Sequence, residues 1–195
     1  MTEAEAKPGP DRTPVKRWAK VRLWAGYVYV GLAVVFATPT MLTACLGCVL
    51  VLLGLGVRFQ ATSELTKDTV LTMSGIYAGS RHPLYLGSSL IGLGVAVMTG
   101  SVWFPVGFLA ILAPLYVRMI ALEEKYLTEL FPEAYPDYAR RVPRFFPKPG
   151  LFFRVLLKGP DWRKLRTRGE LASGVLILAA VTAILVWHRS WLRAL

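Results

Sequence analysis

Three short stretches of this 195-residue chain gather the side chains able to bind and react. GIYAGSRHPLYLG, residues 75–87, holds Tyr77, Arg81, His82 and Tyr85; the pair Glu123–Glu124 follows; AYPDYARRVPRFFP, residues 134–147, brings Tyr135, Tyr138 and Arg144. A guanidinium and an imidazole offer donors to an anion, paired carboxylates offer acceptor oxygens to hydroxyls, and tyrosine faces attract a cation. Where a proton must leave, His82 or Glu124 is the candidate base. Each group also has a plainer reading taken alone. His82 can cap the polar loop, Glu123 and Glu124 can pair with Lys125 or Arg118 on a solvated helix, Arg144 can hold a lipid phosphate, and Tyr135 and Tyr138 can be interfacial anchors.

The elements that must position these groups are apolar helices. The chain is 54% hydrophobic, and no Asp, Glu, Lys or Arg occurs from Leu23 to Val57, from Pro83 to Val117, or from Leu171 to Trp187. One bilayer crossing takes about 20 apolar residues as helix, so the two long runs predict two crossings each and the short one predicts a fifth. Continuous rather than alternating apolarity excludes a barrel. The expected fold is therefore an all-α integral membrane protein with five transmembrane helices.

The net charge of +11 is distributed by topology rather than as a nucleic-acid footprint. Of 23 Lys and Arg, six lie in residues 1–22, three in 58–82 and twelve in 118–170, while the short turns near Pro39 and Gly100 carry none. This positive-inside pattern predicts a cytoplasmic N-terminus and cytoplasmic polar segments, in the cytoplasmic membrane if the source is prokaryotic, with Arg189 and Arg193 dissenting. The partners expected are the lipid bilayer and a lipid-like molecule, not nucleic acid; oligomeric state is left open. Residues 1–22 are polar and basic, unlike a cleavable signal peptide. Cys45 and Cys48, inside the second span, have no further soft ligand nearby and read as small packing residues; no metal site is expected.

Along the chain, a flexible tail with Pro8, Pro10 and Pro14 precedes span 1, about Leu23–Ala37, and span 2, about Met41–Val57. Span 3 runs from about Leu84 to Thr99, and span 4 begins near Val102, with Trp103 and Phe104 as interfacial aromatics and Pro114 as a kink. Ser88, Gly92 and Ala96 form a small-residue stripe suited to close helix approach. Gly92-Leu93-Gly94 follows no strand, so a phosphate-cradle reading fails. The pattern of span 4 continues through RMIALEEKYLTELF as a projecting helix, after which prolines impose short turns. LFFRVLLK, residues 151–158, reads as a short interfacial segment. Spans 3 and 4 form a tight hairpin, so Arg81, His82 and Tyr85 must lie near Glu123 and Glu124. Charges gathered at a membrane boundary are costly unless paired or solvated, and their concentration there suggests a site.

The succession R-H-P-x-Y-x-G, E-E-x-x-L and Y-x-x-Y-x-x-x-V-P-R-F-x-P resembles the isoprenylcysteine carboxyl methyltransferase family and its phospholipid methyltransferase relatives. It is carried by Arg81, His82, Pro83, Tyr85 and Gly87; Glu123, Glu124 and Leu127; and Tyr135, Tyr138, Val142, Pro143, Arg144, Phe145 and Pro147. Gly75-Ile76-Tyr77 departs from the family's G-P-Y, and Phe131-Pro132 from its F-G; span 5 is an addition. Hydropathy and charge mark off a cytoplasmic N-terminal tail (1–20) and a transmembrane hairpin (21–59); the resemblance, which covers about residues 70–147, implies a methyltransferase core with its cytoplasmic cofactor-binding segment (60–150), and an interfacial segment, basic linker and span 5 follow (151–195).

It implies S-adenosylmethionine (SAM) as methyl donor, in a pocket formed by Tyr77, Arg81, His82, Pro83, Tyr85, Gly87, Glu123, Glu124, Tyr135 and Tyr138. Arg81 and His82 would meet the SAM carboxylate, Glu123 or Glu124 the ribose, and tyrosine faces the sulfonium. Arg144, Glu124 and His82 are the expected catalytic residues: Arg144 orienting an acceptor carboxylate, His82 or Glu124 serving as base for an amine or thiol. The acceptor implied is an isoprenylcysteine carboxylate, with a phospholipid amine or a thiol as alternatives. A sterol-reductase-like enzyme using NADPH, which would need about ten spans, and a non-enzymatic membrane scaffold are the more distant rivals.

Overall fold

The computed structural model describes residues 10–65, 70–147, 149–167 and 170–194. Among these the regular elements are helices: α1 (Thr13–Phe36), α2 (Met41–Glu64), α3 (Pro83–Met98), α4 (Trp103–Leu130), α5 (Ala134–Arg141), α6 (Pro149–Lys158), α7 (Trp162–Thr167) and α8 (Glu170–Ala194), with a 3₁₀ turn at Gly75–Ala78. The helices α1, α2 and α4 are long and apolar enough to cross a membrane; α3 and the stretch Glu170–Val186 of α8 are apolar but shorter. Leu23, Trp24, Val28, Leu42, Leu52, Leu109, Ile111, Val175 and Leu176 stand exposed on the outside of the bundle. An apolar surface of this kind suits lipid rather than water.

Several boundaries differ from those expected. The helix of span 1 already begins at Thr13, with Pro14 in its first turn, so residues 13–20 are helical rather than tail, while residues 1–9 lie outside the described part. Span 2 continues past the apolar run to Glu64. A capping box between Thr40 and Thr43 starts α2 immediately after the Pro39 turn. That turn docks on the next one: the Thr38 N–H donates to Thr99 O at 2.8 Å. Gly100, at φ +74°, leaves no room for a Cβ, which would stand 2.4 Å from Thr38 O.

The closest helix approach, between α2 and α3, does not use the expected stripe. A Cβ on Gly47 would meet Gly94 O at 2.6 Å, and one on Gly54 would meet Gly87 O at 2.6 Å. Two glycines seven residues apart on each helix therefore bring the backbones into contact. The Ser88–Gly92–Ala96 stripe is divided: Gly92 and Ala96 pack on Phe108 of α4, and Ser88 touches α2 through a hydrogen bond that it accepts from the Arg58 side chain. Phe104 packs against Tyr29 and the core instead of serving as an interfacial aromatic, whereas Trp103 is exposed.

Pro114 is accommodated by a π-helical turn at Phe108–Leu112, in which the Ala113 N–H reaches back to Phe108 O. The distortion sits where the proline ring and its missing N–H disturb the helix. The proline-rich stretch beyond α4 is not turns alone. It contains α5, in whose first turn Pro136 costs no intrahelical bond. Residues 151–158 belong to α6. Cys48 packs beside the core and Cys45 is exposed.

Candidate functional site

The site is assembled where α2, α3, α4 and α5 converge. Its floor is the 3₁₀ turn after the α2–α3 loop. Gly75 has φ +61°, and the Glu64 carboxylate occupies the space a Cβ would need, so the position is restricted to glycine on both counts; Glu64 Oε2 accepts the Ile76 N–H at 2.7 Å. This fixes Tyr77, whose carbonyl accepts the Tyr138 hydroxyl at 2.7 Å and so ties α5 to the turn. Two further bonds strap the segment after α5 along residues 80–81: Ser80 Oγ donates to Phe145 O at 2.9 Å and the Arg81 N–H to Pro143 O at 2.9 Å.

His82 provides the backbone N-cap of α3, but its side chain makes no capping bond, so the plain capping role is not the one its ring plays. Buried, the ring instead places Nε2 3.2 Å from Glu124 Oε1. The same oxygen receives Arg81 Nη1 at 2.9 Å, and Glu124 Oε2 receives Arg144 Nη2 at 2.6 Å. One carboxylate from α4 thus gathers three basic groups from two distant segments. Burial by itself would raise the Glu124 carboxyl, but the hydrogen bond with His82 and the charges of Arg81 and Arg144 outweigh it and hold the group below its usual range. Arg118, offered by sequence as a partner for the glutamates, lies over the Trp18 ring instead.

Beside this cluster lies a cavity of about 330 Å³, within the roughly 300–1,000 Å³ of small-molecule sites. Tyr77, Arg81, His82, Pro83, Tyr85, Glu123, Tyr135 and Tyr138 line it. Gly87, Glu124 and Arg144 do not. Gly87 faces α2, Glu124 stands behind Arg81 and His82, and Arg144 is nearly half exposed at 46%. Burial pushes the Tyr135 phenol up to about 12, with Glu124 adding to the shift, and it raises Tyr138 as well. Tyr135 therefore remains a neutral donor at physiological pH.

The wall also contains Leu127 of the second motif, Phe131 and Ser88, together with residues that the motif reading passed over: Arg12, Arg22, Arg58 and Glu170. Arg22 lies over the rings of Tyr85 and Tyr116 at 5.4 and 5.3 Å from their centroids. A signal for two of them was present: Arg22 is the last charge before the first uncharged run and Arg58 the first after it. Three polar atoms on the lining are buried and make no hydrogen bond of standard geometry: Arg81 Nε, Arg22 Nε and the Tyr135 hydroxyl, the last lying beside Arg81 and Glu124. Buried donors without partners ordinarily cost about 1–3 kcal/mol each, so donors of this kind beside a cavity suit an anionic ligand. The set fits SAM, with cationic and phenolic donors for its carboxylate, Glu123 for its hydroxyls and aromatic faces for its sulfonium.

A family profile described as phospholipid methyltransferase matches residues 21–134. The chain belongs to the phospholipid methyltransferase family. Protein-S-isoprenylcysteine O-methyltransferase of Schizosaccharomyces pombe is 30% identical over 118 residues, covering 58% of this chain and 50% of that protein. The enzyme of the same name from Saccharomyces cerevisiae is 34% identical over 119 residues, covering 55% and 50% respectively. The cobalt-zinc-cadmium resistance protein CzcN of Cupriavidus metallidurans is 38% identical over 86 residues, 44% of this chain and 39% of that protein. The chain thus spans half or less of the length of the curated relatives it matches. No solved structure matches it significantly.

Proposed function

We propose that this chain is a SAM-dependent methyltransferase acting on a lipid-like acceptor, most specifically on the carboxylate of an isoprenylcysteine-type substrate. The observation that carries the reading is the cavity whose lining presents the buried Arg81 Nε, Arg22 Nε and Tyr135 hydroxyl, none of them in a hydrogen bond of standard geometry, beside the Glu124 cluster. The bundle would cross the membrane five times, with the basic N-terminus and the cavity on the cytoplasmic side.

SAM, when bound, supplies a methyl group made electrophilic by its sulfonium. Arg81 and Tyr135 receive the carboxylate of the donor, Glu123 accepts from ribose hydroxyls, and the faces of Tyr85 and Tyr138 flank the cation. Glu124, behind the lining, fixes Arg81 and His82; Arg144, bound to its other oxygen, completes that support. The residues around the cavity would hold an acceptor oxygen in line with the donor's methyl group and keep water away, and that alignment would carry the rate. A carboxylate needs no base. A phospholipid amine, the reading favoured by the family match, must lose a proton, and His82 is the lining group able to take it.

The test uses purified protein, methyl-labelled SAM, a lipid extract and synthetic S-farnesylcysteine, followed by mild alkali. Label released as methanol identifies a methyl ester and a carboxylate acceptor. Label retained on lipid moves the assignment to an amine, and no transfer to either overturns the proposal.

A further inference from the structure

One group on the cavity wall is unused by the chemistry above. Arg58, at the end of the apolar part of α2, holds the carboxylate of Glu170 through Nη2, at 2.6 Å from Oε1 and 2.9 Å from Oε2, while its Nη1 donates to Ser88 Oγ at 2.6 Å. The side chains of Arg58 and Glu170 are 21% and 15% exposed, and Arg58, Ser88 and Glu170 all line the cavity. Glu170 begins α8, which lies beyond the matched residues 21–134. Ser88 is six residues along α3 from His82, about 9 Å at 1.5 Å per residue. The Arg58 end therefore lies deeper along α3 than the Arg81 and Tyr135 end.

We infer that Arg58 is the recognition point for the acceptor's oxyanion, and that Glu170 occupies it as a stand-in carboxylate which the acceptor displaces. The inference rests on the proposed methyl transfer for its acceptor class, an amphiphile bearing a carboxylate or a phosphodiester. Three features support it. A cation at an apolar boundary is costly unless an anion accompanies it, so Arg58 must always have one. The two oxygens of Glu170 already show that the guanidinium accepts an oxyanion there. Arg58, Ser88 and Glu170 share one cavity with Arg81 and Tyr135, so an acceptor bound in it is within reach of both ends.

The experiment measures equilibrium binding of S-farnesylcysteine, its methyl ester and dioleoylphosphatidylethanolamine in nanodiscs to the unaltered protein, Arg58→Gln and Glu170→Gln, alongside SAM affinity and acceptor KM. Loss of the Arg58 charge is expected to weaken binding of the anionic probe by about tenfold or more. Glu170→Gln, which removes the competing charge, is expected to tighten it, and SAM affinity stays within about twofold in both. Weaker binding of farnesylcysteine but not of its ester assigns a carboxylate; weaker binding of the phospholipid assigns a phosphodiester. A purely structural ion pair predicts harm from both substitutions and repair by the charge swap R58E/E170R, and that result overturns the inference. Should Arg58→Gln fail to fold, the swap itself decides, because it keeps the pair but moves the cation. Binding that depends on Arg58 without methyl transfer leaves the inference standing and removes the proposed function.

Discussion

Replacing Glu124 with Gln keeps the shape of the side chain and removes the charge that three basic groups share. Gln has a single acceptor oxygen. If it faces Arg81 and His82, its NH₂ opposes the Arg144 guanidinium, which stood 2.6 Å from the lost oxygen. The reverse orientation abandons two bonds, so the first is preferred. One charge-assisted hydrogen bond then disappears, worth about 1.5–3 kcal/mol. Arg144 is 46% exposed and can rehydrate, which brings the cost toward the lower figure. Arg81, at 15% exposure, also loses the countercharge that holds it against the cavity. The expected result is a roughly tenfold weaker affinity for SAM, measured by titration calorimetry on detergent-solubilised protein with intact secondary structure. Glu129→Gln, on the same helix but exposed, is the control and should be nearly neutral. SAM affinity within twofold of the unaltered protein for Glu124→Gln would refute the assignment of Glu124 as the organiser of the site.

Acidification should act through the same carboxyl. Its folded value lies below the unfolded one, so its contribution is fully present above the ordinary carboxylate range and is lost as pH falls through the lowered value; SAM affinity followed downward from pH 6 should collapse only in that acidic window, and Glu124→Gln should lack this transition. Gly87→Ala places a methyl 2.8 Å from both Gly54 O and Arg58 Cγ, and the backbone oxygen cannot yield. Overpacking of about 1–3 kcal/mol should lower the thermal midpoint by several degrees, whereas Gly26→Ala, with open space around it, should not. Tyr138→Phe leaves the Tyr77 carbonyl without its donor, and limited proteolysis should cut residues 142–147 faster at unchanged helix content.

The bundle could be read from the sequence because absence of charge over long runs is a one-dimensional signal. The meeting of Arg81, His82 and Tyr85 with Glu123 and Glu124 was legible too, since a short hairpin turn leaves the two helix ends no other arrangement. What escaped depended on pairing across distance. Arg58 and Glu170 are 112 positions apart, and neither belongs to a local pattern. Helix α3 carries small residues on several faces, and only the presence of Gly47 and Gly54 opposite decides that Gly87 and Gly94, rather than Ser88 and Gly92, meet the backbone of α2. The early start of α1 was hidden by its basic first turns, which composition reads as tail although Lys and Arg are good helix formers. Helix α5 was hidden by Pro136, which breaks a helix interior but not a first turn.

The π-helical turn at Phe108–Leu112 sets the phase of everything that follows it on α4. Each residue of an α-helix advances the side chain by about 100°, so the wide turn is equivalent to one extra residue slipped into the count. Deleting a single residue there would restore a regular helix of nearly the same length and apolarity. It would also rotate Glu123 and Glu124 about a quarter of a turn or more, carrying the two carboxylates off the arc that faces Arg81, His82 and Tyr85. The reading frame of the polar end is therefore written in an apolar stretch that touches none of its chemistry, and a one-residue gap in FLAIL separates a relative that keeps the carboxylates aimed from one that has only kept them in sequence.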